Sequence, residues 1–177
     1  GPAGSSAAKA AAAAGANALV VEKAVPRDNR EHLGPDSTDA AGMLDYWVDL
    51  MDYDIEEIPD EVILSDLDGA YFAGPNESVT LHSTGIESNY DGFGFAFHRA
   101  RFDDWLREEA EAAGASYEVG TSVTDVESEL DGREFTHTLT VAGGEEIEAD
   151  ALVLADGPQR TVTMDAVDQF VPAGRSL

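Results

Sequence analysis

The sequence contains no cysteine, which excludes both a disulfide framework and a thiolate metal centre. Lysine is almost missing as well: Lys9 and Lys23 are the only two, and 10 basic residues face 36 acidic ones for a formal net charge of −26. A surface so acidic repels nucleic acid and anionic membranes, so neither is an electrostatic partner, and membrane contact is at most peripheral. The four histidines (His32, His82, His98, His137) show no H-x-x-x-H spacing, which argues against structural zinc. No apolar run approaches the ~20 residues of a membrane span. The alanine-rich start lacks the basic and bulky apolar regions of a secretion signal, so a cytoplasmic protein is expected.

The acids are dispersed along the chain, not arrayed in calcium loops. The nearest imitation, Asp66-Leu67-Asp68-Gly69, has its glycine too early for an EF-hand. Dispersed acid with scarce lysine suits a protein kept soluble in high salt, where self-repulsion is screened, so a halophilic source is expected. With 43% hydrophobic residues over 177 positions, the composition is that of one globular domain with a real core.

The chain opens on a glycine-rich turn, Gly1-Pro2-Ala3-Gly4-Ser5-Ser6, followed by an alanine-rich stretch and then Ala18-Leu19-Val20-Val21-Glu22. Turn, helix, short apolar strand and terminal acid are most of a dinucleotide-binding unit. Gly1 and Gly4 match the second and third glycines of G-x-G-x-x-G, and Glu22 stands about 20 residues on, as the fingerprint requires. The first glycine and its strand have no match, so the expectation is a chain that begins inside the motif. In that reading Gly1 lets a pyrophosphate approach the backbone, Gly4 lets helix and strand pack closely, and Glu22 accepts the ribose hydroxyls. An Ala/Gly-rich helix that merely begins with Gly-Pro is the plainer alternative.

Further along, helix propensity and the two serines predict a helix over residues 4–14, with Ser5 and Ser6 bonding its free amides and Gly15 ending it. Ala18–Glu22 then reads as a buried parallel strand, and Pro26–Thr38 as a loop. Met43, Leu44, Trp47, Val48 and Met51 recur at helical spacing over about 40–52. Residues 58–83 and Phe93–His98 read as strands of one antiparallel sheet. Phe102, Trp105, Leu106, Ala110 and Ala113 mark a third helix with Asp103 and Asp104 in its first turn and Gly114 closing it. Asp131-Gly132 and Gly143-Gly144 signal hairpins. Ala151–Leu154 reads as a last buried strand, and the tail after Thr163 carries little signal.

Further positions bear on chemistry. Asp156-Gly157, directly after that strand, reads either as part of a ligand-binding sheet edge or as a plain turn. Arg99 is a candidate phosphate or carboxylate clamp, with a surface ion pair as the alternative, which is also the reading for Arg101. His98 has no partner in the sequence that makes it a convincing proton donor. Tyr46, Trp47, Phe93, Phe95 and Phe97 line either an apolar substrate channel or simply the core.

Gly1–Ser5 with Val20-Val21-Glu22-Lys23, then His98-Arg99-Ala100-Arg101-Phe102-Asp103-Asp104-Trp105-Leu106, then Leu152-Val153-Leu154-Ala155-Asp156-Gly157-Pro158, together resemble the FAD-dependent geranylgeranyl reductase family, and its haloarchaeal members most. The resemblance covers nearly the whole chain but only the N-terminal portion of a complete member. It implies an α/β fold: a Rossmann-like FAD-binding unit, lacking its first strand, with an inserted antiparallel sheet. It also implies that Gly1, Ala3, Gly4 and Ser5 contact the FAD pyrophosphate, that Glu22 binds the ribose with Lys23 flanking it, and that Arg99 approaches the pyrophosphate side. Val123 would sit by the adenine, and Asp156 and Gly157 along the cofactor edge.

Ala40-Ala41-Gly42 is the nearest match to a C-x-G-G-like flavin-side segment, with Ala40 where cysteine is expected and Ala41 and Gly42 near the flavin. The family's later G-D-A-A segment has no counterpart before Leu177. The activity implied is reduction of C=C bonds in the geranylgeranyl chains of archaeal lipids by hydride transfer from reduced flavin, with NAD(P)H or ferredoxin as electron donor. The substrate would be an isoprenoid lipid or another small apolar molecule. An FAD-dependent aromatic monooxygenase, and a fragment inactive by itself, are the alternatives.

Overall fold

Which segments become regular structure follows from which of them find a partner. The computed structural model describes residues 1–26, 40–51 and 53–167. The chain divides into two compact units, Gly1–Arg30 with Leu106–Leu177, and the intervening Glu31–Trp105. The loop expected at Pro26–Thr38 lies, beyond Pro26, outside the described residues. Among those residues no helix is long and apolar enough to cross a membrane.

The first unit opens with α1 (Pro2–Ala13), two residues earlier than expected. Proline at the start brings a preset φ and wastes no N–H. Ser5 and Ser6 therefore lie inside the helix and cap nothing, a correction to their expected role. The other end is as expected. Gly15 takes φ +89°, its amide donates to Ala12 O at 2.9 Å, and the Ala16 amide donates to Ala11 O at 3.0 Å. Strand β1 (Leu19–Glu22) runs parallel to β7 (Ser116–Val119), with Leu19 opposite Ser116 and Glu22 opposite Val119. β1 is half-exposed, not buried, because β7 is its one strand partner among the described residues.

Helix α3 (Arg99–Ala112) leads into β7 through Gly114 at φ +107°, which uses the same pair of terminal bonds as Gly15. Because α3 begins at Arg99, Asp103 and Asp104 fall beyond its first turn, contrary to expectation. Ala8 of α1 packs with Ala110 and Ala115, surrounded by Ala12, Ala18, Val20 and Tyr117. Lys9 Nζ closes the rim on Glu109 at 2.8 Å. Both side chains are a third exposed, so the pair is worth less than about 1 kcal/mol.

A meander follows, β8 (Val123–Asp131), β9 (Glu134–Val141) and β10 (Glu146–Ala149), with β9 central. Its turns fall at the two expected glycine sites, with Gly132 at φ +66° and Gly143 at φ +110°. Val126, Leu139 and Val141 are its buried side chains. The short helix α4 (Thr161–Ala166) packs against β8.

Ala151–Leu154 is not the strand expected. It pairs with no strand among the described residues, and Val153 is 68% exposed. An apolar run supplies the side chains of a strand but not its hydrogen-bonding neighbour. Asp156 just beyond it accepts bonds from the Thr163 amide and hydroxyl, tying the segment to α4. Burial pushes the Asp156 carboxyl up, but the Thr163 bonds outweigh it and hold the group below the usual carboxylate range.

The second unit holds the inserted antiparallel strands, arranged as two sheets where one was expected. β2 (Ala40–Leu44), β6 (Gly94–His98) and β3 (Ile63–Leu67) form one, with β6 central. β4 (Ala70–Ala73) and β5 (Ser78–Leu81) form a separate ribbon. The helix expected over 40–52 is a strand as far as Leu44, and only then becomes α2 (Asp45–Met51). Pairing of Ala41 with Phe97 and Leu44 with Gly94 overrides the local period. Phe93, Phe95, Phe97, Phe102 and Trp105 are all buried, which settles three of the candidate channel aromatics as core. Their rings form a continuous run, with centroids 5.9 Å apart from Phe95 to Phe97, 4.6 Å from Phe97 to Phe102 and 5.6 Å from Phe102 to Trp105.

Gly94, paired with Leu44 across β2 and β6, takes φ +149°, and a Cβ there would clash with the Met43 carbonyl oxygen. Gly94→Ala is expected to cost about 2–4 kcal/mol, read as a fall in the denaturant midpoint. Gly4→Ala, whose added Cβ would meet Ala155 Cβ at 3.6 Å, is expected to cost nothing measurable by the same assay. For Asp156, a folded-state pKa below the unfolded one contributes stability that is present above the unfolded value and lost as pH falls through the folded one. Thr163→Val should therefore lower the melting temperature at pH 7, and the gap to the parent should close in thermal scans below about pH 4.

Candidate cofactor site

The glycine turn and the acid meet within the first unit. The first intrahelical bond of α1 runs from the Ser5 amide to Gly1 O at 3.1 Å. The amides of Ala3 and Gly4 lie in the first turn of α1, ahead of that bond, and stand at the positive end of the helix dipole. A Cβ on Gly1 would meet no atom within 4 Å, so approach to these amides is open. At the end of β1, Glu22 Oε2 lies 2.6 Å from the Gly1 nitrogen and Oε1 accepts the Ala24 amide at 2.9 Å. Burial pushes the Glu22 carboxyl up, but the Ala24 amide, the Gly1 amino group and Lys23 outweigh it and hold it below the usual range. An ionised carboxylate is acceptor-only, which suits a pair of ribose hydroxyls. Lys23 itself is exposed beside it.

The parallel pairing continues past the strand ends. The Thr121 amide donates to Glu22 O and the Gly120 amide to Ala24 O, both at 3.1 Å. This carries the Gly120–Thr121 backbone alongside Glu22, two residues before Val123, which opens β8 opposite Val141. Ala155 approaches Gly4 from the extended segment after β10. Close packing at Gly4 is thus present, though looser than the motif requires, since alanine would fit. Gly157, at φ +79°, accepts the Arg160 amide at 3.2 Å. Asp156 and Gly157 therefore form a turn whose carboxylate is committed to Thr163, not the exposed end of a sheet strand.

Ser5 departs most from its expected place. It is 3% exposed, and its hydroxyl accepts a 2.9 Å bond from Tyr117 Oη of β7. Nothing local in the sequence announces this pair, whose members are 112 residues apart. Ala41, Gly42 and Arg99 belong to the second unit. Ala41 and Gly42 pair with Phe97 and Ala96, and an added Cβ on Gly42 would touch Leu67 at 3.6 Å. Arg99 Nε bonds Asp103 Oδ1 at 2.8 Å one helical turn away. Arg101 reaches Glu61 O at 3.4 Å, a carbonyl where an ion pair was expected. Also missed was Asp45, 5% exposed at the start of α2, whose oxygens lie 2.9 and 3.1 Å from Thr84 Oγ1.

The chain is 31% identical over 161 residues to digeranylgeranylglycerophospholipid reductase 1 of Methanosphaera stadtmanae, covering 90% of this chain and 36% of that one. It thus spans about a third of the length of that reductase. By contrast, it spans 81% of an uncharacterized Methanosarcina barkeri protein encoded in the nifH2 5′ region, at 28% identity over 92% of this chain. Among solved structures, the Diels-Alderase PyrE3 of pyrroindomycin biosynthesis superposes with a TM-score of 0.68 at 25% identity, over 89% of this chain and 31% of that one. A geranylgeranyl bacteriochlorophyll reductase-like protein from Thermoplasma acidophilum gives 0.60 at 23% identity, over 85% and 35%. The resemblance to geranylgeranyl reductases therefore stands, on a Rossmann-like fold shared with FAD-dependent oxidoreductases and halogenases. A match over residues 36–172, most of the sequence, shows that the chain belongs to the tryptophan halogenase family.

Proposed function

We propose that this chain forms the adenosine- and pyrophosphate-binding part of an FAD-dependent reductase acting on the C=C bonds of geranylgeranyl chains in archaeal lipids. The observation that carries the cofactor reading is the placing of Glu22, at the end of β1, beside Gly1 at the start of α1, whose first-turn amides precede its first intrahelical bond. The reductase reading rests on the likeness to the Methanosphaera enzyme. Bound FAD supplies hydride transfer. The chain's own residues bind and orient it: Ala3 and Gly4 amides face the pyrophosphate, Glu22 accepts the ribose hydroxyls, and the Gly120–Thr121 backbone leads Val123 toward the adenine. NAD(P)H or ferredoxin would supply the electrons. A second reading, an oxygen-using halogenase or aromatic monooxygenase, is favoured by the family match itself.

Purified in molar salt, the chain should bind FAD. Glu22→Ala should weaken that binding about ten- to a hundredfold, by the loss of charge-assisted bonds, in a fluorescence-quench titration. A chain that ignores FAD sinks the cofactor reading. Mass spectrometry of two reactions of the loaded protein with chemically reduced FAD, one with a geranylgeranyl lipid without oxygen and one with an aromatic substrate, halide and oxygen, then separates the enzyme readings. A gain of two hydrogens per double bond supports the reductase, and oxygen-dependent modification of an aromatic instead supports the second reading.

A further inference from the structure

We infer that Tyr117 is the residue that positions the pyrophosphate-binding end of α1 relative to the ribose-binding Glu22, acting through the buried hydroxyl of Ser5. This rests on the cofactor reading above and adds to it a residue that no motif includes. Tyr117 stands on β7 directly opposite Val20 of β1, two residues before Glu22. Its Oη donates at 2.9 Å to Ser5 Oγ, in the turn of α1 that follows the Ala3 and Gly4 amides. One bond therefore spans the helix that meets the phosphates and the strand pair that carries the ribose acceptor.

Ser5 is otherwise out of place. A hydroxyl 3% exposed inside an alanine helix carries a desolvation cost unless it is bonded, and alanine would fill the position with better helix propensity. The Tyr117 bond is what satisfies it. The phenol stays protonated and so stays a donor: burial, with the Glu111 and Glu22 carboxylates, pushes its pKa up and outweighs the opposite pull of the Ser5 bond and Arg107. The surrounding packing is mostly alanine, with Val20 and the Tyr117 ring, and these non-directional contacts set how close α1 lies more than its slide along β7. The Lys9–Glu109 pair is a part-exposed bond to α3, not to β7. A directional bond between Ser5 and Tyr117 sets that slide. Loss of this bond should leave Glu22 and its ribose contacts where they are while letting the α1 amides drift from the phosphates.

The test compares ADP with adenosine as probes, titrated calorimetrically against the 177-residue chain and its variants Tyr117→Phe, Ser5→Ala and the double variant. Tyr117→Phe keeps the ring and its packing, and Ser5→Ala is a second route to the same loss that favours the helix. Positioning predicts that each single variant weakens ADP about three- to tenfold, that the double variant is no worse than either, and that adenosine affinity is unchanged. Variants that melt earlier yet bind ADP as tightly as the parent overturn the positioning role and leave the cofactor reading intact. Equal weakening of ADP and adenosine also overturns it, as a general loss of fold. A parent chain that binds neither probe overturns the cofactor reading and this inference with it.

Discussion

Alanine sets the separation on which the glycine turn depends. In the proposed cofactor reading, the amides at the start of α1 can serve a phosphate next to Glu22 only if the helix lies close over the β1–β7 pair. Ala8 against Ala110 and Ala115 permits that approach, because none of the three projects beyond a methyl group. Such a core buries little apolar area, and by the usual yield of about 25 cal/mol per Å² it contributes modestly to stability. The helix makes up the difference locally, through alanine's propensity, the proline start and the doubly bonded end at Gly15. Closeness is gained at the expense of hydrophobic mass.

The second unit makes the opposite choice. Its core is aromatic, and each buried Phe is worth roughly 1.5–3 kcal/mol in area alone, with up to about 1.5 more where rings meet edge to face. Side chains that large hold the sheet together, while Gly94 is confined by the backbone of Met43 and Leu44 on the paired strand β2. Among the described residues the acids stay out of the cores, apart from Asp45 of this unit, and the Thr84 hydroxyl and Tyr46 amide satisfy that one. The charge those acids carry is therefore a property of the surface, where dissolved salt can screen it.

What could be read from the sequence was what neighbours in sequence decide. Gly15, Gly114, Gly132 and Gly143 each end or turn an element because each takes a left-handed φ, and that preference travels with the residue. Two errors came from partners. Residues 40–44 carry a helical period and become a strand because β6 lies beside them; 151–154 carry a strand's composition and lack a neighbour. Ser5 was assigned by its type to a cap, and its real partner is 112 residues away in a strand whose alternation gives no hint of a phenol bond.

The proposed division of labour would let one chain resemble both a reductase and a Diels-Alderase. In that reading free amides and a carboxylate would hold the adenosine diphosphate half of a cofactor, which is chemically constant whatever reaction the other half performs. A change at Glu22 or Tyr117 should move how tightly the cofactor is held while leaving the choice of substrate untouched. That choice belongs to side chains facing the reacting end, and those can diverge without disturbing the alanine contact that holds the turn in place.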